Sequence, residues 1–455
     1  VPDAPPVDPT RTADPTPPVD PRVDPPPTVD LTTAELHGSL EDPALTSMNF
    51  LNEITSRFPR ALSFAPGRPV ERFFDLESVH ERLRTFTRHL TEERGLSPEE
   101  ANRLLCQYGR TKGVVHDLVV RHLARDQGLR VDPEAVVVTV GCQEAMFLVL
   151  RALRASERDV LLSVSPMYVG LTGAARLVDL PVLPVAAGPA GIDLDDLTAT
   201  IRAARARGLR PRACYVMPDF ANPSGLSIDL DRRRALLALA EREDILLLED
   251  NPYGVFHGGD GTPPTLKALD TGRRVVHLGS FAKTVLPGAR VGYAVADQRV
   301  RSADGGTGLF ADQLSKIKSM ITVNTSPISQ AVVGGALIEH DFSLERANAR
   351  ERAIYRDNLE RLLAGLRSRF GAHPGISWNV PAGGFFVCVT VPFTVDDALL
   401  EHSARRHGVL WTPMSHFYSD TGGTDALRLS ISSLSGAAID EGLDRLAALF
   451  AEQGH

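Results

Sequence analysis

From about residue 133 the chain settles into a repeat in which a short, unbroken aliphatic run is followed by a longer amphipathic one. "AVVVTVG" leads into "QEAMFLVLRALRA", "DVLLSVSP" into "YVGLTGAARLV", and "ACYVMPDF" into "DLDRRRALLALAERE"; "DILLLEDN", "RVVHLGSFAK" and "RVGYAVA" continue the series. Runs this rich in β-branched and aliphatic residues suit strands buried on both faces with helices covering them, which predicts an α/β fold on a mainly parallel sheet. Beyond a helix expected at about 311–320 and the turn "NTSP", the stretch "SLERANARERAIYRDNLERLLAGLRSRF" reads as one long helix with a solvated, charged face. Strand and helix patterns then alternate again, from "ISWNVPAGGFFVCVTV" to "AAIDEGLDRLAALFAEQ", and predict a smaller α/β domain. The expected division is an extended tail over residues 1–32, an arm and small-domain segment over 33–100, a large domain over 101–340 and a small C-terminal domain over 341–455.

Open α/β sheets bind ligands outside the carboxyl ends of their strands. The polar residues at those ends are Gly141, Cys142 and Gln143, then Tyr168, Asn222, Asp250 with Tyr253, and Ser280 with Lys283. They are expected to converge on one crevice. Lys283 is conspicuous because the chain has five lysines and 44 arginines, so a position needing only positive charge would usually hold arginine. Each residue alone has an ordinary reading. A lone lysine is normally solvated, Asp250 could cap a turn, Asn222 before Pro223 is a loop signal, and Tyr168 could be a core aromatic.

Together they suit one cofactor, pyridoxal 5'-phosphate. A lysine amine condenses with an aldehyde when burial or neighbouring charge leaves it neutral near pH 7, and Lys283 would be that lysine. Asp250, at the end of a buried strand, could ion-pair with the pyridine nitrogen and keep it protonated. The glycine turn of "VGCQEAMF" opens into a helix whose first N–H groups would receive the phosphate, with Ser280 and Arg290 completing that site. Asn222 and Tyr253 could donate to the phenolic oxygen of the ring, and Tyr168 could stack on its face.

The motifs "QYGRTKG", "GCQEA", "SPMY", "DFANPSG", "EDNPYG", "SFAKTVLPGARVG", "PAGGFF" and "LRLSIS" occur in this order. By them, residues from about 62 to 453 resemble a fold-type I pyridoxal-phosphate aminotransferase of class I/II. The resemblance implies that Arg428 holds a substrate α-carboxylate, that Gly67 lines the substrate site through its backbone, and that Tyr108 reaches the cofactor phosphate of a neighbouring subunit in a homodimer. Arg68 and His416 are candidates for reading the substrate side chain, with a structural or solvated role as the simpler alternative. The stretch "HGSLEDPALTSMNFLNEITSRFP" adds a resemblance to the (S)-3,5-dihydroxyphenylglycine aminotransferase group of antibiotic-forming pathways, which would make an amino acid and an arylglyoxylate the substrates. The sequence departs from the family at Cys142, where a hydroxyl residue is common, and at Met414, where glycine is usual.

Composition narrows the alternatives. A net charge of −8 argues against nucleic acid as a partner. No apolar run is long enough to span a bilayer and no secretory leader is recognisable, so a cytoplasmic location is expected. The Pro- and Asp-rich first residues cannot build a core. The scattered cysteines, Cys106, Cys142, Cys214 and Cys388, suggest neither a disulfide framework nor a metal site. A rival function, an aminotransferase-like transcription regulator, would need a basic DNA-binding module. A nearer rival keeps the cofactor but carries out elimination, replacement or carbon–carbon bond formation, with S-adenosylmethionine as a candidate second substrate.

Overall fold

The computed structural model describes residues 29–454 apart from 189–190, 260 and 262, with the backbone alone at 43, 44, 46, 48, 49, 51 and 52. Residues 1–28, most of the expected tail, lie outside that range. Two units are distinguished, the first ending at Glu41 and the second running from Asp42 to His455. Within the described residues, the first contributes two short 3-10 turns, Thr33–Glu35 and Gly38–Glu41.

The second unit is organised by a seven-stranded sheet. Its strands, in chain order, are β1 (Val136–Thr139), β2 (Asp159–Ser165), β3 (Val182–Ala186), β4 (Arg210–Val216), β5 (Leu246–Asp250), β6 (Val275–Ser280) and β7 (Gly292–Val295). They lie in the order β1-β7-β6-β5-β4-β2-β3, with β7 antiparallel to both neighbours and every other pairing parallel. The fold is the expected α/β architecture with a mainly parallel sheet. Buried aliphatic clusters on both faces, one including Val137, Leu161 and Leu248 and another Leu162, Val216 and Leu247, explain why these strands read as continuous apolar runs.

The edge strand β3 is absent from the sequence-based reading. Its sequence is "VLPVA", and its side chains are mostly half-buried or exposed. A proline is tolerated at a sheet edge because the missing N–H has no ladder partner there, so propensity argues against a strand that topology permits.

A second sheet has four strands, β8 (Ser377–Trp378), β9 (Phe386–Thr390), β10 (Thr412–Pro413) and β11 (Ala426–Ser430), in the order β8-β9-β11-β10 and antiparallel throughout. The helices Ala349–Phe370 and Gly436–Glu452 share its core, which contains Leu362, Phe385, Val387, Leu429 and Leu446. The stretch expected as one long helix is broken at Asn348, between Leu344–Ala347 and Ala349–Phe370. Asn348 is buried, and its Nδ2 donates to Leu344 O at 2.9 Å and Thr284 O at 3.0 Å, so the break is tied to the residue after Lys283. The charged stretch is also not wholly solvated: Tyr355 and Asn358 are buried, and Tyr355 Oη accepts from Val70 N at 3.0 Å.

The loop after β4 is held by a fully buried guanidinium. Arg233 donates to the carbonyls of Pro218, Ile228, Pro263 and Pro264 and ion-pairs with Asp219, whose other oxygen accepts from Asn251 Nδ2. This arrangement fixes residues 218–228, which carry Asn222, against the end of β5. Removing one member of a buried ion pair leaves the other charge uncompensated, so Arg233→Ala should lose about 3–5 kcal/mol of unfolding free energy. Denaturant titration followed by circular dichroism checks this, and a change below about 1 kcal/mol would mean the loop is held by something else.

Candidate active site

The carboxyl ends of the strands open into a cavity of about 260 Å³ lined by Gly67, Arg68, Cys142, Gln143, Tyr168, Asn222, Asp250, Tyr253, Ser280, Lys283, Arg290 and Arg428 among others. Twelve residues expected at the site from sequence therefore share one crevice. Gly141 stands directly behind it: its φ is +71°, and a Cβ there would lie 2.5 Å from Arg290 Nη2. Tyr108 does not line this cavity and is 86% exposed. His416 lies apart, with Nδ1 2.9 Å from Ser47 Oγ, Nε2 2.8 Å from Asp397 Oδ1, and its ring stacked on Phe50.

The cavity is electrostatically lopsided. Its lining contains four cationic side chains, Arg68, Lys283, Arg290 and Arg428, and one carboxylate, Asp250. Three of the other lysines are buried in ion pairs: Lys112 with Asp312, Lys267 with Asp297, and Lys318 with Glu144. Lys283 Nζ instead donates to the carbonyl of Gly67 at 2.7 Å. Burial, then the charges of Arg290, Arg428 and Arg68, bring its pKa down to about 8. A neutral amine is therefore accessible near physiological pH.

Glu249 and Asp250 are adjacent on β5 and point to opposite faces, as strand alternation requires. Glu249 accepts from the N–H groups of Leu266 and Lys267 and pairs with His277 Nδ1 at 2.9 Å, away from the cavity. Asp250 is buried at the cavity floor. Its Oδ2 accepts from Tyr215 Oη at 2.6 Å and its Oδ1 from Cys142 Sγ at 3.3 Å. Burial raises the Asp250 pKa, and these two donors oppose that rise.

Arg428 reaches the cavity from β11 and is also buried. Its Nη1 donates to Asn222 Oδ1 at 2.6 Å and its Nη2 to Ala65 O at 2.8 Å, while the Phe386 and Phe417 rings flank it at 4.3 and 4.9 Å. Nε has no partner, and burial lowers the pKa to about 10. A guanidinium so desolvated suits an anionic ligand. Because Asn222 Oδ1 accepts from Arg428, its amide NH₂ is the donor end, and it is paired with the Tyr253 hydroxyl beside it on the cavity wall.

These groups fit pyridoxal phosphate. The helix Gly141–Leu153 opens at the cavity with Cys142 and Gln143 in its first turn, where N–H groups lack intrahelical partners. No described residue hydrogen-bonds or ion-pairs with the Arg290 guanidinium, and Ser280 stands at the end of β6 on the same rim. The apolar wall is formed by Met146, Val169, Met217, Phe386 and Phe417. Met414 does not line the cavity; it is buried behind Val169 and Phe417, with Cys388 Sγ 3.7 Å from its sulfur. Sequence reasoning did not single out Tyr215, Phe386 or Phe417, and alternation along "ACYVMPDF" could have placed Tyr215 on the face shared with Asp250.

The family model for aminotransferase class I and II matches residues 80–446, and the chain belongs to that family. It is accordingly an aminotransferase with pyridoxal phosphate as its cofactor. The chain is 56% identical over 419 residues to an (S)-3,5-dihydroxyphenylglycine transaminase of Amycolatopsis orientalis, covering 92% of this chain and 94% of that protein. Among solved structures it is similar to a kynurenine aminotransferase of Pyrococcus horikoshii in complex with PMP, with a TM-score of 0.76, 25% identity, and coverage of 89% and 94% of the two chains. It is also similar to the α-aminoadipate aminotransferase LysN of Thermus thermophilus complexed with N-(5'-phosphopyridoxyl)-L-leucine, with a TM-score of 0.72, 29% identity, and coverage of 90% and 97%.

The lowered pKa of Lys283 makes a testable statement, because only the neutral amine condenses with an aldehyde. In cofactor-free protein, attachment of pyridoxal, which lacks the phosphate, should accelerate with pH to a midpoint near 8. Arg290→Gln removes a nearby positive charge and should raise that midpoint by roughly half a unit, slowing attachment at pH 7. Borohydride trapping followed by mass spectrometry measures both, and an unshifted midpoint would show that Arg290 does not act on the amine.

Proposed function

We propose that Lys283 is the catalytic lysine of this aminotransferase, and that the enzyme exchanges the amino group of an α-amino acid with a 2-oxo acid of the arylglyoxylate class. One observation carries the reading: a half-buried amine that rests on a carbonyl rather than a carboxylate, in a cavity with Asp250 on its floor and Arg428 on its wall. The identity to the dihydroxyphenylglycine transaminase and the apolar wall support an aryl substrate.

The chemistry supplied by the bound cofactor is that of an aldehyde that takes up an amino group and a ring that accepts the electrons left at the substrate Cα. With the cofactor bound, Lys283 would hold it through its aldehyde carbon, and once an amino acid had taken that place the freed amine would carry the proton from the substrate Cα to that cofactor carbon, as general base and then as general acid. Asp250 would keep the ring nitrogen protonated. The first N–H groups of the helix Gly141–Leu153, Ser280 and Arg290 would hold the phosphate, Asn222 and Tyr253 would donate to the phenolic oxygen, and Tyr168 would cover the ring. Arg428 takes the substrate carboxylate between its two aromatic neighbours, with Gly67 and Arg68 at the substrate side of the cavity.

Lys283→Ala should abolish turnover and the absorbance of lysine-linked cofactor, and conversion of the wild-type cofactor to its amine form with release of an oxo acid and no ammonia separates amino transfer from elimination or replacement. Arg428→Lys keeps the charge but loses the planar fork, so kcat/KM for an amino acid should fall roughly 30- to 1000-fold. The comparison with the decarboxylated amine is decisive, since only the amino acid presents the group that Arg428 binds. Equal loss toward both substrates would make Arg428 structural.

We further propose a homodimer as the working unit. Tyr108, Met320, Ile321, Val323 and Ile328 are exposed, and Gly109 packs near Asn324 and Pro327, which brings Tyr108 beside the 320–328 segment. Exposed apolar surface of this kind marks an interface. In that assembly Tyr108 reaches the partner's phosphate site. Sedimentation of the wild type should give the mass of two chains, and Tyr108→Phe should weaken cofactor retention by roughly threefold to tenfold while leaving that mass unchanged. A monomeric wild type with full activity would overturn the shared-site reading.

A further inference from the structure

We infer that Tyr215 is a positioning residue for the cofactor ring: its hydroxyl fixes one oxygen of Asp250 and leaves the other, held only by the thiol of Cys142, to face the ring nitrogen. The inference rests on the assignment of Asp250 to that nitrogen and adds two residues to the machinery behind it.

The strands place Tyr215 where it can do this. Tyr215 on β4 is in register with Leu248 on β5, and Asp250 is two residues further along β5, on the same face. Tyr215 is 3% exposed and Asp250 2%, so water does not compete for the contact. The Tyr215 Oη to Asp250 Oδ2 distance of 2.6 Å is that of a short hydrogen bond to a charged acceptor. Burial keeps the phenol protonated, so Tyr215 acts as donor and Asp250 as acceptor.

The two sides of the carboxylate are held unequally. A phenol is a strong donor, whereas an S–H is a weak one, and Cys142 Sγ lies 3.3 Å from Oδ1. Cys142 lines the cavity, and Tyr215 does not. The strong bond therefore anchors the oxygen turned into the protein, and the weak bond guards the oxygen turned toward the ligand, where an N–H⁺ donor can replace it at little cost. The thiol at position 142 acquires a role by this account: a hydroxyl there would compete more strongly for Oδ1.

The anchoring bond also sets how much negative charge the ring experiences. The Tyr215 hydroxyl offsets part of the charge on Asp250; without it, the unscreened carboxylate favours the protonated forms of the bound cofactor. In Tyr215→Phe holoenzyme, the pH midpoint of the cofactor's absorbance change should rise by on the order of one unit, and the cofactor dissociation constant should weaken by roughly tenfold. A residue that merely filled space would leave the absorbance midpoint where it was.

Asp250→Asn serves as the reference. If Asp250→Asn loses the cofactor while Tyr215→Phe keeps the wild-type midpoint and affinity, the role assigned to Tyr215 is wrong and that of Asp250 stands. If Asp250→Asn itself changes neither quantity, the ring nitrogen is held elsewhere and the underlying assignment fails first. Should the phenylalanine variant not fold, 3-fluorotyrosine placed at position 215 alone retains the shape but is a stronger donor. It should move the midpoint to lower pH, and no movement would likewise overturn the proposal.

Discussion

An excess of positive charge in a half-enclosed cavity is the constraint to which the rest of the site answers. Arg68, Lys283, Arg290 and Arg428 face a single carboxylate, Asp250, and two of these cations have their pKa values pushed down by burial. Such an arrangement persists only where the surrounding fold enforces it, because like charges repel, most strongly where Arg428 is buried and Lys283 half-buried. Enforcement comes from both sheets. Lys283 follows β6 of the large sheet, whereas Arg428 lies in the middle of β11 of the small one and reaches Asn222 in the loop after β4. The charge imbalance is what a doubly anionic ligand, one phosphate and one carboxylate, would neutralise.

Much of this was legible in the sequence because it lies at the ends of strands. Aliphatic runs announce β1, β2, β4, β5, β6 and β7, and polar residues at or shortly after their carboxyl ends, Cys142, Tyr168, Asn222, Asp250 and Lys283, share the cavity. The scarcity of lysine drew attention to Lys283, and the structure gives that scarcity a meaning. Lys112, Lys267 and Lys318 are buried, each with a carboxylate, so lysine in this chain is largely an interior residue. Lys283 is half-buried and differs from those three in resting on a carbonyl rather than a carboxylate.

What escaped the sequence has particular physical causes. β3 carries a proline that only an edge position forgives. The break at Asn348 arises because one side chain satisfies both a helix carbonyl and the carbonyl of Thr284, a tertiary contact that no helical periodicity announces. Phe386 and Phe417 sandwich Arg428 from segments about 30 residues apart, and Met414 packs with Phe417 and Val169 rather than lining the cavity. Tyr215 looked like one more core aromatic, since its partner lies on the next strand, 35 residues away. Local patterns report which side chains are buried; they do not report which polar tip meets which.

One short segment, residues 62–68, connects these features. Leu62–Ser63 pairs in parallel with Val409–Leu410, and the carbonyl of Phe64 accepts from Ser430 N, which fixes the segment against the small sheet. From there the carbonyl of Ala65 accepts from Arg428 and that of Gly67 from Lys283, so both cations rest on neutral dipoles of the same stretch of backbone. The choice of partner matters. A carboxylate in either place would hold its cation in a charge-assisted pair, raise the lysine pKa and compete with substrate for the arginine. A carbonyl satisfies the donor while it waits, without a charge that must be displaced when the ligand arrives. Gly67 is suited to this close approach: a Cβ there would lie 2.6 Å from the Phe386 ring, the same ring that flanks Arg428. The segment whose carbonyl accepts from Lys283 is thus packed against the aromatic ring that flanks Arg428, and the two cations share one piece of main chain.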